Sequence, residues 1–299
     1  MHKRRRSFIV LLVIILAIAG GVYASNQLAV ISEYELQYEK LPASFDGYKI
    51  LQLSDLHSKD FDQGNKGLLK KIHGQAPDII VLTGDMVNST DLDFSVFLSL
   101  AEELAADYEV YYIVGNHEQS LSNSSQMYLH SELMEMGVRI LDNEKVVIKR
   151  GEDSIDLYGL WFNLRYYSDR TNDYVLEDTE TYYFSLDKME KIFGKNDGQR
   201  FSILLAHNPL YADTYRKWGA DLTLSGHVHG GMIRLPFLGG IYSPERTFFP
   251  EYDSGIYVFG QQNMIVSRGI GNGNMGFRLF NPPEIITVTL TYAMPAEES

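Results

Sequence analysis

YKILQLSDLH (Tyr48–His57) is an apolar run that breaks off into a short polar string, and the same join recurs four times along the chain. DIIVLT (Asp78–Thr83) leads into GDMVN (84–88), EVYYIV (Glu109–Val114) into GNHE (115–118), FSILL (Phe201–Leu205) into AHNP (206–209), and DLTLS (Asp221–Ser225) into GHVH (226–229). Short runs rich in β-branched and aromatic residues predict buried strands rather than helices. Helices are predicted between them at Lys66–His73, Ser95–Ala106, Ser125–Met136 and Leu210–Trp218. This alternation predicts a largely parallel sheet covered by helices, in which ligands gather at the carboxyl ends of the strands. All five polar strings fall at such ends.

The strings supply Asp55, His57, Asp85, Asn116, His207, His227 and His229. Carboxylate, amide and imidazole groups suit divalent ions such as Mn²⁺, Fe²⁺ and Zn²⁺ rather than soft thiolate sites. Two ions roughly 3.5 to 4 Å apart need one carboxylate to bridge them and about three further ligands each. The seven residues meet that count, and His117 is left beside Asn116 as an acid instead of a ligand. Singly the strings are ordinary. A DxH tripeptide is expected by chance in roughly a third of chains of this length. GNHE also reads as a turn, because Gly and Asn favour positive φ. GHxH is rarer, and its Gly frees the backbone to bring two imidazoles together. The coincidence of all five in one order carries the reading.

With these motifs the chain resembles the calcineurin-like metallophosphoesterase superfamily. HGGMIRLP (His229–Pro236), YSPERTFFPEYDSGIY (Tyr242–Tyr257), SRGIGN (Ser267–Asn272) and RLFNPPEI (Arg278–Ile285) resemble its bacterial membrane-anchored or exported phosphohydrolases. The resemblance covers about residues 46–290. Met232 stands where related proteins usually carry Gln, which touches only a contact beyond the metal ligands. The resemblance implies an α/β fold, a four-layer α/β/β/α sandwich. Its second sheet is expected largely from strands after GHVH, such as Gly255–Phe259, Asn263–Ser267 and Ile285–Thr291. It further implies one metal on Asp55, His57, Asp85 and His229 and another on Asp85, Asn116, His207 and His227, with Asp85 bridging. A hydroxide shared by the metals would attack phosphorus in line, His117 would protonate the departing oxygen, and Glu118 would hold His117 in the needed protonation state.

Metal-dependent hydrolysis of a phosphoester or diphosphate is therefore expected. Some related membrane proteins split nucleotide-sugar-lipid diphosphates, which points to a phosphodiesterase or pyrophosphatase acting on an envelope precursor. The same two-metal site also serves phosphomonoesters. A non-catalytic, metal-stabilised phosphate-binding module is the other alternative, and the intact His117 and ligand set argue against it.

Elsewhere the sequence is less specific. His73 and His130 read as solvated or capped side chains within helices, and His2 belongs to the basic terminus. The Tyr-rich stretch Trp161–Phe184 reads equally as a cap bordering the cleft or as core. Arg165, Arg234 and Arg268 are candidate phosphate contacts, because guanidinium pairs bidentately with such oxygens. GNGN (271–274) reads as a tight turn rather than a phosphate-cradling loop.

The amino terminus adds a second functional fact. Lys3, Arg4, Arg5 and Arg6 precede the uncharged run FIVLLVIILAIAGGVYA (Phe8–Ala24). As a helix this run is about 25 Å long, within the range of a spanning segment. Basic residues before it predict a cytoplasmic amino terminus and an extracytoplasmic catalytic body, a single-pass protein of the cell membrane. The competing reading is export after cleavage of a signal peptide, since Val22–Ala24 fits a cleavage site and Arg5–Phe8 resembles a twin-arginine signal. The expected division is a basic segment at 1–7, an anchor or signal segment at 8–24, a juxtamembrane strand or tether at 25–45, the catalytic domain at 46–292 and a tail at 293–299. Cysteine is absent, so no disulfide supports an exported body. The formal net charge is −13, and −17 once the four basic terminal residues are set aside. Such a surface repels nucleic acid, so a phosphorylated small-molecule or lipid-linked substrate must be drawn in locally by the metals.

Overall fold

The computed structural model describes residues 2–62, 64–168, 172–231, 233–235, 238–243, 247–273, 276 and 278–294. Met232, Asn274 and residues 295–299 of the expected tail lie outside the described residues. In chain order the strands are β1 (Val30–Tyr38), β2 (Tyr48–Leu53), β3 (Ile79–Leu82), β4 (Glu109–Tyr112), β5 (Arg139–Ile140), β6 (Glu144–Arg150) and β7 (Asp153–Leu160). They continue with β8 (Ser202–Ala206), β9 (Leu222–Ser225), β10 (Ile233–Leu235), β11 (Gly239–Tyr242), β12 (Gly255–Phe259), β13 (Gln262–Val266) and β14 (Glu284–Tyr292). The helices are α1 (His2–Gln27), α2 (Lys66–Gln75), α3 (Ser95–Asp107), α4 (Asn116–Gln119), α5 (Asn123–Glu135), α6 (Asp173–Glu177), α7 (Thr179–Tyr182), α8 (Leu186–Phe193) and α9 (Ala212–Trp218).

Strands β3, β8 and β9 are buried at every position, as strands covered on both faces must be. They lie inside two six-stranded sheets, ordered β1-β14-β2-β3-β4-β5 and β12-β13-β9-β8-β7-β6. Side chains alternate between the faces. From β2, Ile50 enters the core between the sheets, while Leu51 and Leu53 meet Leu68 and Ile72 of α2 and Phe97 and Leu104 of α3. From β8, Ile203 and Leu205 enter the same central core, while Leu204 packs with Met189 of α8 and Tyr215 and Trp218 of α9. The layers therefore run helix, sheet, sheet, helix, the expected four-layer sandwich.

Two expectations need correction. The five motif strands do not share one sheet: β2, β3 and β4 belong to the first and β8 and β9 to the second. Among the described residues the second sheet draws β12 and β13 alone from the chain after GHVH, and Ile285–Thr291 falls in β14 of the first sheet. There β14 runs antiparallel to β2, with Ile286, Val288 and Leu290 in the central core and Ile285 on the helix side. Within 25–45, residues Val30–Tyr38 form a strand. β1 pairs in parallel with β14 along its whole length, and Leu36, Tyr38, Leu41 and Phe45 enter the core between the sheets, so the folded body begins at Val30.

Among the described residues one helix, α1, is long and apolar enough over Arg5–Gln27 to cross a membrane, and its apolar side chains from Phe8 to Leu16 are exposed. A core helix of a soluble domain would be covered.

Candidate metal centre

Each motif strand runs out into a loop, and five ligand candidates adopt the left-handed backbone: Asp55 (φ 54°), His57 (48°), Asp85 (53°), His227 (71°) and His229 (56°). Non-glycine residues pay roughly 1–3 kcal/mol each for such conformations, which cluster at functional sites. Hydrogen bonds between loops hold them there. Asp55 N–H donates to Gly84 O at 2.9 Å, His57 N–H to Asp85 O at 3.1 Å and Ser58 N–H to Met86 O at 3.0 Å. The amide of His227, from the second sheet, donates to Asp55 Oδ1 at 3.1 Å, and the amide of His117 to Asp85 Oδ1 at 2.8 Å. Beneath them the buried Gln52 joins the sheets, donating to Thr83 Oγ1 and Ser225 O at 2.9 Å each. Gly115 is required because a Cβ there would overlap the Asp85 carboxylate.

Six of the seven candidate ligands converge, Asp55, His57, Asp85, His207, His227 and His229. His57 Nε2 lies 3.1 Å from His229 Nε2, which is 3.5 Å from Asp55 Oδ1. His207 Nε2 lies 3.2 Å from Asp85 Oδ2 and 3.9 Å from Asp55 Oδ1, and the same Asp85 oxygen is 4.0 Å from His57 Nε2. Asp85 thus stands between an Asp55–His57–His229 group and a group it forms with His207 and His227, each with ligand atoms within 4.8 Å of one another. Asn116 Oδ1 is buried without a hydrogen-bond partner among the described residues. An unmet buried oxygen costs about 1–3 kcal/mol, a cost that a coordinated cation removes. Two rings are also pre-set as ligands: His57 Nδ1–H donates to Asn88 Oδ1 at 3.0 Å and His207 Nδ1–H to Thr83 O at 2.6 Å. Both Nε2 lone pairs are thereby turned into the site. The residues present fit a pair of divalent ions.

The electrostatics agree. Burial works against charge on Asp85, but His207, His117 and His57 hold its carboxyl well below the usual range. Burial likewise opposes charge on His207, yet Asp85 and Asp55 raise it to about 10. His229 is held well below the ordinary imidazole value by burial, with His57 and Arg278 adding to the effect. Burial also lowers His117, partly opposed by Asp85.

His117 Nδ1 accepts the Ser89 N–H at 3.1 Å, so the neutral ring carries its proton on Nε2. Glu118 departs from its expected place. Fully buried, it accepts the amides of Asp85 (2.9 Å), Met86 (2.6 Å), Val87 (3.2 Å) and Gly115 (2.8 Å), and among the described residues no hydrogen bond joins it to the His117 ring. Burial and the Asp85 charge push its carboxyl up to about 7, against the pull of the amides. Backbone donors, rather than the neighbouring imidazole, claim it.

The three arginines are likewise engaged elsewhere. Arg268 pairs with Glu284 at 2.7 Å, Arg234 with Asp253 at 2.8 Å, and Arg165 bonds Asn163 on an exposed turn. His73 meets Tyr108 Oη at 3.2 Å, and His130 is half-buried on α5. The Tyr-rich stretch does both things expected of it. Tyr167 packs edge-on to His227 with centroids 5.0 Å apart, while Phe162 and Phe184 are core; residues 169–171 lie outside the described residues. Sequence reasoning missed Asn88, inside the quoted GDMVN, and Arg278 and Asn281, inside RLFNPPEI. Asn281 Nδ2–H donates to His229 O at 2.6 Å.

A profile of the calcineurin-like phosphoesterase family matches residues 48–231. The chain is 28% identical over 270 residues to the uncharacterized metallophosphoesterase YkuE of Bacillus subtilis (strain 168), covering 87% of this chain and 84% of that protein. It is 28% identical over 251 residues to phosphodiesterase YaeI of Escherichia coli (strain K12), covering 81% and 82%. A transmembrane protein with a metallophosphoesterase domain from Bos taurus is 27% identical over 286 residues, covering 88% of this chain and 60% of that protein. Among solved structures, a dimetal phosphatase from Danio rerio superposes with a TM-score of 0.42 at 10% identity, covering 75% and 88%. By the family match and the loops that carry its motifs, the chain belongs to the calcineurin-like phosphoesterases, hydrolases of phosphoester bonds that use two divalent metal ions.

Proposed function

We propose that this hydrolase is a phosphodiesterase or pyrophosphatase working at the outer face of the cytoplasmic membrane on an envelope or lipid-linked phosphate. The observation that carries this reading is where α1 ends. Lys59, two residues beyond His57, donates to the carbonyl of Asn26 in the last turn of α1 and to Asn272 Oδ1 at 2.8 Å. Gly273, next in the chain, lies against the His229 ring. If α1 crosses the bilayer, the ligand cluster sits beside the membrane surface, where a lipid-linked phosphate is presented. The name of the Escherichia coli relative supports diester cleavage.

In this reading Asp55, His57, Asp85 and His229 hold one ion and Asp85, Asn116, His207 and His227 the other. When bound, the ions neutralise phosphoryl oxygens and lower the pKa of water towards neutrality. The chain orients the rest. Asp85 is fixed by the His117 amide, the Ser89 amide aims the His117 Nε2–H, and Tyr167 screens the His227 side from solvent. His117 directs its Nε2–H as a hydrogen bond to the leaving oxygen and stabilises the charge that develops there, while water supplies the proton that the departing group takes.

With Mn²⁺ added, chromogenic diesters and a diphosphate should turn over faster than a chromogenic monoester; the reverse order would establish the phosphomonoesterase alternative. On the same panel His117→Ala should keep its metals, slow esters of poor leaving groups by about 10²-fold or more and spare good ones. Equal losses across the panel would remove His117 from that role.

Place is tested separately. Protease added to spheroplasts should digest the catalytic body, and carbonate washing should leave the intact chain in the membrane. A soluble mature chain beginning at Ser25 would identify a cleaved signal peptide, and protection from outside protease would overturn the topology.

A further inference from the structure

We propose that Asn26, at the end of the apolar helix, is a positioning residue for the metal centre, acting through Arg278 on Asp55; this rests on Asp55 being a metal ligand. The side chain of Asn26 grips the Arg278 backbone at two points. Its Nδ2–H donates to Arg278 O at 2.9 Å, and Arg278 N–H donates to Asn26 Oδ1 at 2.9 Å. The Arg278 side chain, 3% exposed, then turns inward. Its guanidinium donates to the carbonyls of Gly271 (2.5 Å), Arg268 (2.8 Å), Gly269 (3.0 Å) and Asn281 (3.4 Å).

That fan of donors organises a loop with no regular structure. The loop in turn holds the first ligand strand: Ile270 N–H donates to Ser54 O at 2.9 Å and Gly271 N–H to Asp55 O at 2.6 Å. The contact is close-fitting, since a Cβ on Gly269 would come within 2.6 Å of Asp55 Cβ. Asp55 needs such support, because its left-handed backbone persists only where the surroundings over-determine it. A buried guanidinium whose partners among the described residues are carbonyls keeps its aim while its own backbone is fixed. Asn26 provides that fixing, so the helix end and the first metal loop form one mechanical unit.

The test uses the full chain in detergent micelles. Metal affinity is read by Mn²⁺ titration, and amide exchange at Ile270 and Gly271 is read in the metal-free protein. Asn26→Ala should weaken Mn²⁺ binding about 10-fold, the scale of groups that orient ligands, and speed exchange at both amides. Asn26→Asp keeps the acceptor for Arg278 N–H and should fall between parent and Ala. Lys71→Met serves as the control: Lys71 Nζ donates to Ala29 O at 2.6 Å, beside the same helix end but with no route to Asp55. It should match the parent in both measurements. Parent-like affinity and exchange in Asn26→Ala would overturn the proposal, as would an equal loss in Lys71→Met. Asp55→Asn separates the two levels: parent-like Mn²⁺ binding there would remove Asp55 as a ligand and the proposal with it, whereas weakened binding there with a silent Asn26→Ala would overturn the positioning role alone.

Discussion

Asp85→Asn is expected to cut hydrolysis by about 10³-fold, the upper end of the scale seen when one preorganised electrostatic group is removed. That corresponds to about 4 kcal/mol of transition-state stabilisation. Asp85 Oδ2 is the oxygen placed between His207 and His57, and an amide in its place brings no charge to share between two cations. The fold should survive, because Asn still offers Oδ1 to the His117 amide. Metal content should fall below two ions per chain. A second readout needs no substrate. His207 is raised to about 10 beside Asp85, so in the metal-free parent at pH 8 it holds a proton that ligation must displace. Loading the parent with metal should release that proton into an indicator solution, and the variant, lacking the Asp85 charge, should release less. Two ions retained with near-parent turnover would sink the bridging role.

What could be read in advance follows from locality. Fully buried strands such as DIIVLT and FSILL announce themselves because both faces are apolar, and the chemistry-bearing strings sit at their ends. Sheet membership does not, since nothing inside EIITVTLTY says that its partners are β1 and β2. β1 is hard to tell from a tether by sequence, because ISEYELQY alternates with polar residues and buries itself fully only towards its end. The candidate ligands were legible as residue types and spacings. The left-handed backbone at Asp55, His57, Asp85, His227 and His229 was not, because the modest preference of Asp and His for it does not single out these positions; loop-to-loop hydrogen bonds impose it. Glu118 shows the same limit. Its neighbour in sequence is His117, but its partners are backbone amides on another loop, and amides have no residue type to read.

Those amides make Glu118→Gln the more revealing of two damaging substitutions. Glu118 Oε1 accepts from Met86 and Val87 and Oε2 from Asp85 and Gly115. Whichever way a glutamine side chain is turned, its NH₂ replaces one of these oxygens, and two buried N–H groups then face a donor. At about 1–3 kcal/mol for each unmet group, the expected loss is about 2–6 kcal/mol, a large share of a typical domain's stability. In thermal unfolding this should lower Tm by about 10 °C. The 84–87 and 115 backbones should separate, carrying Asp85 and Asn116 away from the other ligands, so metal binding should fail with stability. Ala opens space in which water can accept from the amides, so it should be no worse than Gln, although Gln is nearly isosteric with Glu. A carboxylate whose task was to hold His117 would behave differently: Gln would keep the parent Tm and both metals and lose only turnover. Melting curves and metal content of the two variants therefore decide whether Glu118 serves the reacting proton or the loops that place the metals.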